Sequence, residues 1–517
     1  MATQWQTFPI EFTGGLVSNM SELQQGLQMV GSATVLQNFE PSKEGGYKKV
    51  LGYTKYDAAE VPGSGVVKGI KVVDSTSILA VRSDGVYSKV YYGNGSGWTL
   101  KATATAIGSR TIFATHVMSG TSRTIIVDGV NFPAIYDSAS GAVTYISPPG
   151  YAAEIEGVNN VVIHKSAAFY SKGSLLYYTA PNSDSDFDPA NNSGVLNIGH
   201  AITGLKVFRD QLIVFSTNTV SRLTGSSGND WSLSSITDSI GCIDPNTIQE
   251  VGGDIMYLAP DGLRLLSATD RIGDFGLDVA SAPIEKDVKR LINSSSSFAS
   301  LVLREKAQYR IFSYNPSDTI STAKGIVGTK FSDQGSSNIS FANLIGIKVY
   351  TCDSEYTGST ETVVFANEDG YVYLLENGFS FNGANIEAIY ESPYMPVADP
   401  RIRKTFYKLV LYLEPRGVLS ANVNVKYDFG RSRGYDVIQP PTEVITSTGA
   451  GSSSGVIALY GVATYGVNTY GGNVDKVYTV PVVGSGKTIA LRIEDNSVNP
   501  SFSLDTAVLD YTENDRQ

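Results

Sequence analysis

Three histidines, two cysteines, one clustered run of aspartates and one glycine-lysine-threonine step are the residues in this sequence whose types could do chemistry. His116, His164 and His200 stand far apart, with no second histidine at i+2 or i+4 and no H-E-x-x-H, so helix-borne or strand-borne zinc ligation is not expected. Gly486-Lys487-Thr488 imitates the end of a phosphate-binding loop. The first glycine of that motif would fall on Pro481, and the residues that follow read as a strand, not a helix, so a hairpin turn is expected there. Asp184, Asp186 and Asp188 alternate like the opening of a calcium loop, but Val195 occupies the position of the closing glutamate. A solvated loop is the reading, with a weak cation site as its rival. Cys242 and Cys352 are the only cysteines, without a C-x-x-C, which excludes a disulfide scaffold and a cysteine-rich metal site. Paired carboxylates for sugar cleavage come from distant strands and leave no local spacing, so a polysaccharide-degrading enzyme stays open. No catalytic, cofactor-binding or metal-binding residue is assigned.

The elements that would position such groups are strands. The 517 residues are 42% hydrophobic and 17% charged, with 52 Gly and 30 Tyr, and long Ala/Leu/Glu/Lys stretches are nearly absent. A turn followed by a short apolar run recurs near Asp84, Asp128, Lys172, Asn218, Asp261, Ala307 and Asp369, at steps of 44, 44, 46, 43, 46 and 62. Asp-Gly at four of these turns signals tight type I′ hairpins. Runs such as "SILAVR", "RTIIV", "QLIVF" and "DIMYLA" precede the turns. Repeats of this length with about four short strands each predict an all-β chain with a β-propeller of about seven blades over residues 63–385. One amphipathic segment, "SAPIEKDVKRLINS", is expected to be a helix capped by Ser281, bracing blades five and six through Ile284, Val288, Leu291 and Ile292.

Residues 1–62 form a docking or closing segment, and residues 386–517 alternate apolar and polar in five strand-like runs, predicting a smaller β-sandwich-like domain. Within it the Tyr/Gly/Ser-rich loop 446–472 carries Tyr460, Tyr465 and Tyr470 at steps of five, candidates for contact with a distal partner. The net charge of -11 and pI of about 4.9 argue against a phosphate-binding face and fit a surface that nucleic acid passes without sticking. No run reaches the length of a membrane helix, and the N-terminus lacks the features of an export signal, so a protein made in a cytoplasm and not membrane-embedded is expected.

Several phrases together resemble the tail nozzle proteins of short-tailed bacteriophages, also called tail tubular protein B or tail stabilisation proteins. They are "GGLVSNMSELQQGLQMVGSATVLQNFEPSKEGGYKKVLGY" (14–53), the long run 202–266, "SFANLIGIKVY", "EDGYVYLLENG" and "KTFYKLVLYLE", in that order along most of the chain. The resemblance implies a non-enzymatic virion component without cofactors. It implies a hexameric ring at the distal end of the DNA channel, docked to the portal and adaptor rings, and assembled in the host bacterial cytoplasm. Tail fibres or spikes, viral DNA passing without specific binding, and the host envelope are its implied neighbours. In that frame Lys43, Tyr47, Lys48, Lys49 and Tyr53 either close the propeller or pair with a neighbouring subunit. The rival readings are a propeller that degrades envelope polysaccharide and a receptor-binding module acting through the 446–472 loop.

Overall fold

The computed structural model describes residues 5–146, 154–226, 230–267, 279–333, 336–432, 435–436, 441–447 and 476–514. The chain is all-β in these parts, with short helical turns and two α-helices, Glu22–Gln28 and the longer Glu285–Ser294. No helix among the described residues is long and apolar enough to cross a membrane.

Seven antiparallel sheets follow one another along the sequence. The first four are simple meanders of four strands, beginning at Ser64–Val72, Ile112–His116, Asn160–His164 and Ile202–Phe208. The fifth has three strands, Gln249–Val251, Asp254–Ala259 and Gly262–Leu265. The sixth runs from Ser297–Leu303 to Ser336–Ile345, and the seventh comprises Thr351–Thr357, Thr360–Ala366 and Val372–Leu375. Each second strand is the apolar centre of its sheet: Ile78–Ser83, Asp254–Ala259 and Gln308–Tyr314 are buried at every position. Last strands such as Ala142–Tyr145 and Ser232–Thr237 are largely exposed. A strand covered by sheets on both faces needs continuous apolar sequence, which is why "SILAVR" and "DIMYLA" lack alternation.

Neighbouring sheets pack face to face through separate apolar cores. Leu79, Val81 and Val90 of the first meet Ile126, Ala134 and Tyr136 of the second, and Ala168 and Tyr170 of the third meet Ile125 and Val127. The series does not end at the seventh sheet. Val364, Ala366 and Val372 pack on Val67, Ile70 and Ile78 of the first, and the first strands of the two sheets lie side by side.

The repeated turns join second to third strands in sheets one to five and seven. Ala307 instead lies between the first and second strands of the sixth sheet, one strand early. The equivalent connection there, between Gln308–Tyr314 and Lys324–Asp333, contains the short turn Ile320–Thr322 and no Asp-Gly. Measured at that connection the last step becomes regular, and the long step falls before it, in the interval that contains the helix Glu285–Ser294. The Asp-Gly turns are not type I′, because only the glycines have positive φ: Gly85 at 98°, Gly129 at 76° and Gly370 at 84°. The aspartates accept instead from backbone N–H groups ahead of them. Asp84 Oδ1 takes Val86 N and Tyr87 N at 2.9 and 2.8 Å, and Asp128 Oδ1 takes Val130 N and Asn131 N at 3.0 and 2.8 Å.

The expected helix forms as a 3₁₀ turn, Ala282–Ile284, running into Glu285–Ser294. It buries Ile284, Val288 and Leu291 and lies on strands of the fifth and sixth sheets, the predicted brace. Ser281 does not cap it; its Oγ accepts from Leu263 N at 3.0 Å.

The five C-terminal runs form the strands Lys404–Pro415, Leu419–Tyr427, Val477–Gly486, Ile489–Ser497 and Phe502–Glu513. They divide between two sheets, and the N-terminal segment is woven into both. Gln6–Glu11 pairs with Thr506–Tyr511, and Phe39–Pro41 and Tyr47–Lys49 extend the same sheet. Val35–Gln37 lies between the last strand of the sixth sheet and Ile386–Glu391, so one nine-stranded sheet runs from Ser297 into the C-terminal strands. Gly486 and Ile489 belong to different sheets, so Gly486-Lys487-Thr488 crosses between layers and is not the expected hairpin. Lys487 N and Thr488 N donate to Asp428 Oδ1 at 2.8 and 2.9 Å.

Candidate functional site

Every first strand contributes to one place. A cavity of about 430 Å³ is lined by Lys71, Ile112, Val161, Lys206, Gln249 and Ser300, from sheets one to six, and by Asp353 of the seventh. A second cavity of about 450 Å³ shares Lys206, Gln249, Ser300, Arg304 and Asp353 with it. The lining is polar where sheets one and four to seven contribute and largely apolar where Ile112 and Val161 stand.

The charges there are largely satisfied within the chain. Lys71 Nζ lies 2.8 Å from Glu355 Oε2 and 3.2 Å from Asp353 Oδ2. Asp353 Oδ2 also accepts from Val72 N at 2.8 Å. Burial works to lower the Lys71 pKa, but the two carboxylates overrule it and hold the ammonium above its ordinary value. Arg110 donates to the carbonyls of Phe298 and Tyr350 and stacks 5.0 Å from the Tyr350 ring centre. Cys352 faces both cavities, and burial pushes its thiol up to about 12, which disfavours the thiolate. Cys242 is fully buried in the fourth and fifth sheets and is likewise pushed up to about 12; both cysteines are free. Lys206 differs from its neighbours: burial pushes its pKa down, Glu250 opposes this, and Arg304 and Lys71 reinforce it.

A second polar centre lies where the N-terminal segment crosses the sixth and seventh sheets. Glu40 places Oε1 2.5 Å from Lys306 Nζ and Oε2 2.7 Å from Arg310 Nη2. Glu376 answers from the other side, its Oε1 2.7 Å from Arg310 Nη1 and its Oε2 on Lys306. Two carboxylates and two cations thus alternate in a closed ring, with Arg310 fully buried and Glu40 nearly so. Burial alone would raise the Glu376 pKa, but Arg310 and then Lys306 pull it down to about 2.

The residues expected to close the ring or meet a neighbour lie close to this clasp. Tyr53 begins the strand Tyr53–Lys55, which pairs with Tyr373–Leu375 as the fourth strand of the seventh sheet. Its ring stacks on Phe381 at 5.2 Å, and burial pushes its hydroxyl up to about 12. Tyr47 is buried, its hydroxyl accepting from Gly15 N at 3.0 Å and lying 2.7 Å from Thr13 O. Lys49 is buried on Asp495 at 2.9 Å, its pKa pushed down by burial against that pairing. These three side chains are therefore spent on the chain's own packing and are not free for a partner. Lys48 is half-buried, and only Lys43 is exposed, its Nζ donating to Glu305 O at 2.9 Å. Tyr460, Tyr465 and Tyr470 lie outside the described residues.

The remaining sequence candidates do not converge. Asp184 is buried and bonded to Arg123 at 2.9 Å, with His116 Nε2 at 3.4 Å. Asp186 Oδ1 accepts from Asp188 N, and Asp188 Oδ1 accepts from Ala190 N, each at 2.9 Å. No group of three or more metal-ligating side chains occurs among the described residues. His164 packs by Trp231 and Phe169, its pKa lowered by burial. Sequence reading missed Lys71 and Lys206, although a signal was present: "GIKVVD" (69–74) and "GLKVFRD" (204–210) place a lysine at the same point of two first strands.

No family model and no curated protein matches the chain. Solved structures similar to it include the extracellular domain of a protein described as a hybrid two component system from B. thetaiotaomicron. That match has a TM-score of 0.38 at 11% identity, over 63% of this chain and 41% of the other. A one component system's extracellular domain from the same organism gives 0.38 at 9% identity, over 69% and 43%. A chain of the Mitotic Checkpoint Complex gives 0.37 at 12% identity, over 62% and 94%. The chain spans less than half the length of the first two.

Proposed function

We propose that the seven sheets are the blades of a β-propeller and that the chain is a structural subunit of a short-tailed bacteriophage tail, forming a hexameric nozzle at the outlet of the DNA channel. The propeller reading is supported by the apolar core between the seventh and first sheets and by a cavity lined from all seven first strands. The observation that carries the structural reading is the weave of the N-terminal segment. Residues 35–37 fuse the sixth sheet to the C-terminal strands, and residues 53–55 complete the seventh. A body tied in this way resists hinge motion, which suits a wall that must hold its shape under pressurised DNA. The order of phrases shared with nozzle proteins supplies the assembly, and the acidic net charge of -11 removes the counterion-release gain that would hold DNA in the channel.

A second reading has one observation in its favour. Asp353 and Glu355 stand together in the central cavity, where a polysaccharide-cleaving or polysaccharide-binding propeller would keep its carboxylates. Their shared ion pair with Lys71 favours a structural role over acid–base work. Disrupting the gene in a phage that carries it tests the two. The nozzle reading expects particles that package but fail to retain or deliver DNA, and no release of reducing sugar by the purified protein. Stable, infectious particles without the chain, or sugar release abolished by Glu355→Gln, refute it.

A further inference from the structure

Lys206 is set into the central cavity by the first strand of the fourth sheet, and its Nζ makes no hydrogen bond or ion pair with any described residue. The other cations lining the same space are engaged: Lys71 by Asp353 and Glu355, Arg110 by two carbonyls. Arg304 is engaged only in part. Its Nη1 reaches Ser354 O at 3.2 Å and Glu361 Oε1 at 3.4 Å, while Nε and Nη2 donate to no described residue. Arg304 lines both cavities beside Lys206; its charge and that of Lys71 act on the lysine against those of Glu250 and Asp353, which line the same space. A half-buried ammonium and the solvent-facing edge of an exposed guanidinium, neither with a protein acceptor, border the same polar space and form an arrangement that an oxyanion completes.

We propose that Lys206 and Arg304 form an anion-binding site in the central cavity, taking the carboxylate or phosphate group of a small polar molecule. The lysine supplies a point charge and the guanidinium two further N–H donors. The site is independent of the nozzle reading, since a structural wall has no use for it.

Calorimetric titration of the full chain with inorganic phosphate and, separately, glucuronate tests the site. At least one is expected to bind with Kd below about 1 mM. Phosphate alone identifies a phosphate group, glucuronate alone a carboxylated sugar. Lys206→Met is expected to weaken binding about tenfold or more, a loss of one charge-assisted contact, with Lys206→Arg retaining most of it. In the unmodified protein, the bound anion is expected to shield Lys206 from acetylation, read by mass spectrometry, which covers the case of a variant that fails to fold. Absence of binding by both probes, undiminished binding in Lys206→Met, or unchanged acetylation of Lys206 overturns the proposal.

Discussion

Replacing Glu40 by alanine removes one of the two acids in the clasp that ties the N-terminal segment to the sixth and seventh sheets. Both of its oxygens are in use, at 2.5 Å from Lys306 and 2.7 Å from Arg310. The two cations are not equally affected. Lys306 is a quarter exposed and recovers solvent, whereas Arg310 is fully buried and keeps Glu376 and Gln308 Oε1, the latter at 3.1 Å. Removing one partner of a buried pair costs about 3–5 kcal/mol, because the charge left behind loses more than the pair contributed. Arg310 still holds one carboxylate, so the lower end of that range, about 3 kcal/mol, is expected. The assay is urea unfolding followed by near-ultraviolet circular dichroism, with ΔG compared at constant slope. Adding Arg310→Met to Glu40→Ala removes the stranded charge and is expected to recover part of the loss, a coupling that a simple packing defect does not produce. A loss below about 1 kcal/mol, the range of exposed ion pairs, refutes the clasp as a closing element.

The same clasp predicts acid lability. The Glu376 pKa is depressed in the folded chain, so its contribution, on the order of 3 kcal/mol, is present above the ordinary value of 4.5 and lost as pH falls towards about 2. Glu376→Gln is expected to flatten the stability–pH curve in that window, and an unchanged curve contradicts the assignment. Lys49→Met strands the buried Asp495 carboxylate, which sits 2.9 Å from the lysine, and is expected to cost about 3–5 kcal/mol; Lys49→Met with Asp495→Leu is expected to regain much of it. With both thiols pushed up to about 12, iodoacetamide at pH 8 is expected to label Cys242 and Cys352 only after denaturation. Rapid labelling of the native protein contradicts the raised thiol pKa values.

Strand content, the sheet period and the C-terminal runs were legible because they depend on local patterning. "KTFYKLVLYLE" alternates since one face of Lys404–Pro415 is buried, and the structure extends it by a single residue. The sixth repeat was misplaced because its second-to-third connection lacks the Asp-Gly signal, and the nearest turn, at Ala307, joins different strands. The N-terminal weave was only half legible. Tyr53 is among the residues expected to close the propeller or meet a neighbour, but nothing local says that Val35–Gln37 lies between strands some three hundred residues ahead. Pairings that distant are fixed by shape and burial. The lysines of the cavity share a position in two first strands, but that repeat alone does not say which way they face: an inward-facing polar residue looks the same in sequence as a solvent-facing one.

We propose a stiff subunit that works as part of a ring. Electron microscopy of the purified protein under assembly conditions, with the adaptor ring present, tests it most directly. Six-fold rings in which each subunit contains a closed circle of seven sheets are expected. Particles that stay monomeric under every assembly condition, or subunits whose seventh and first sheets are apart, contradict it.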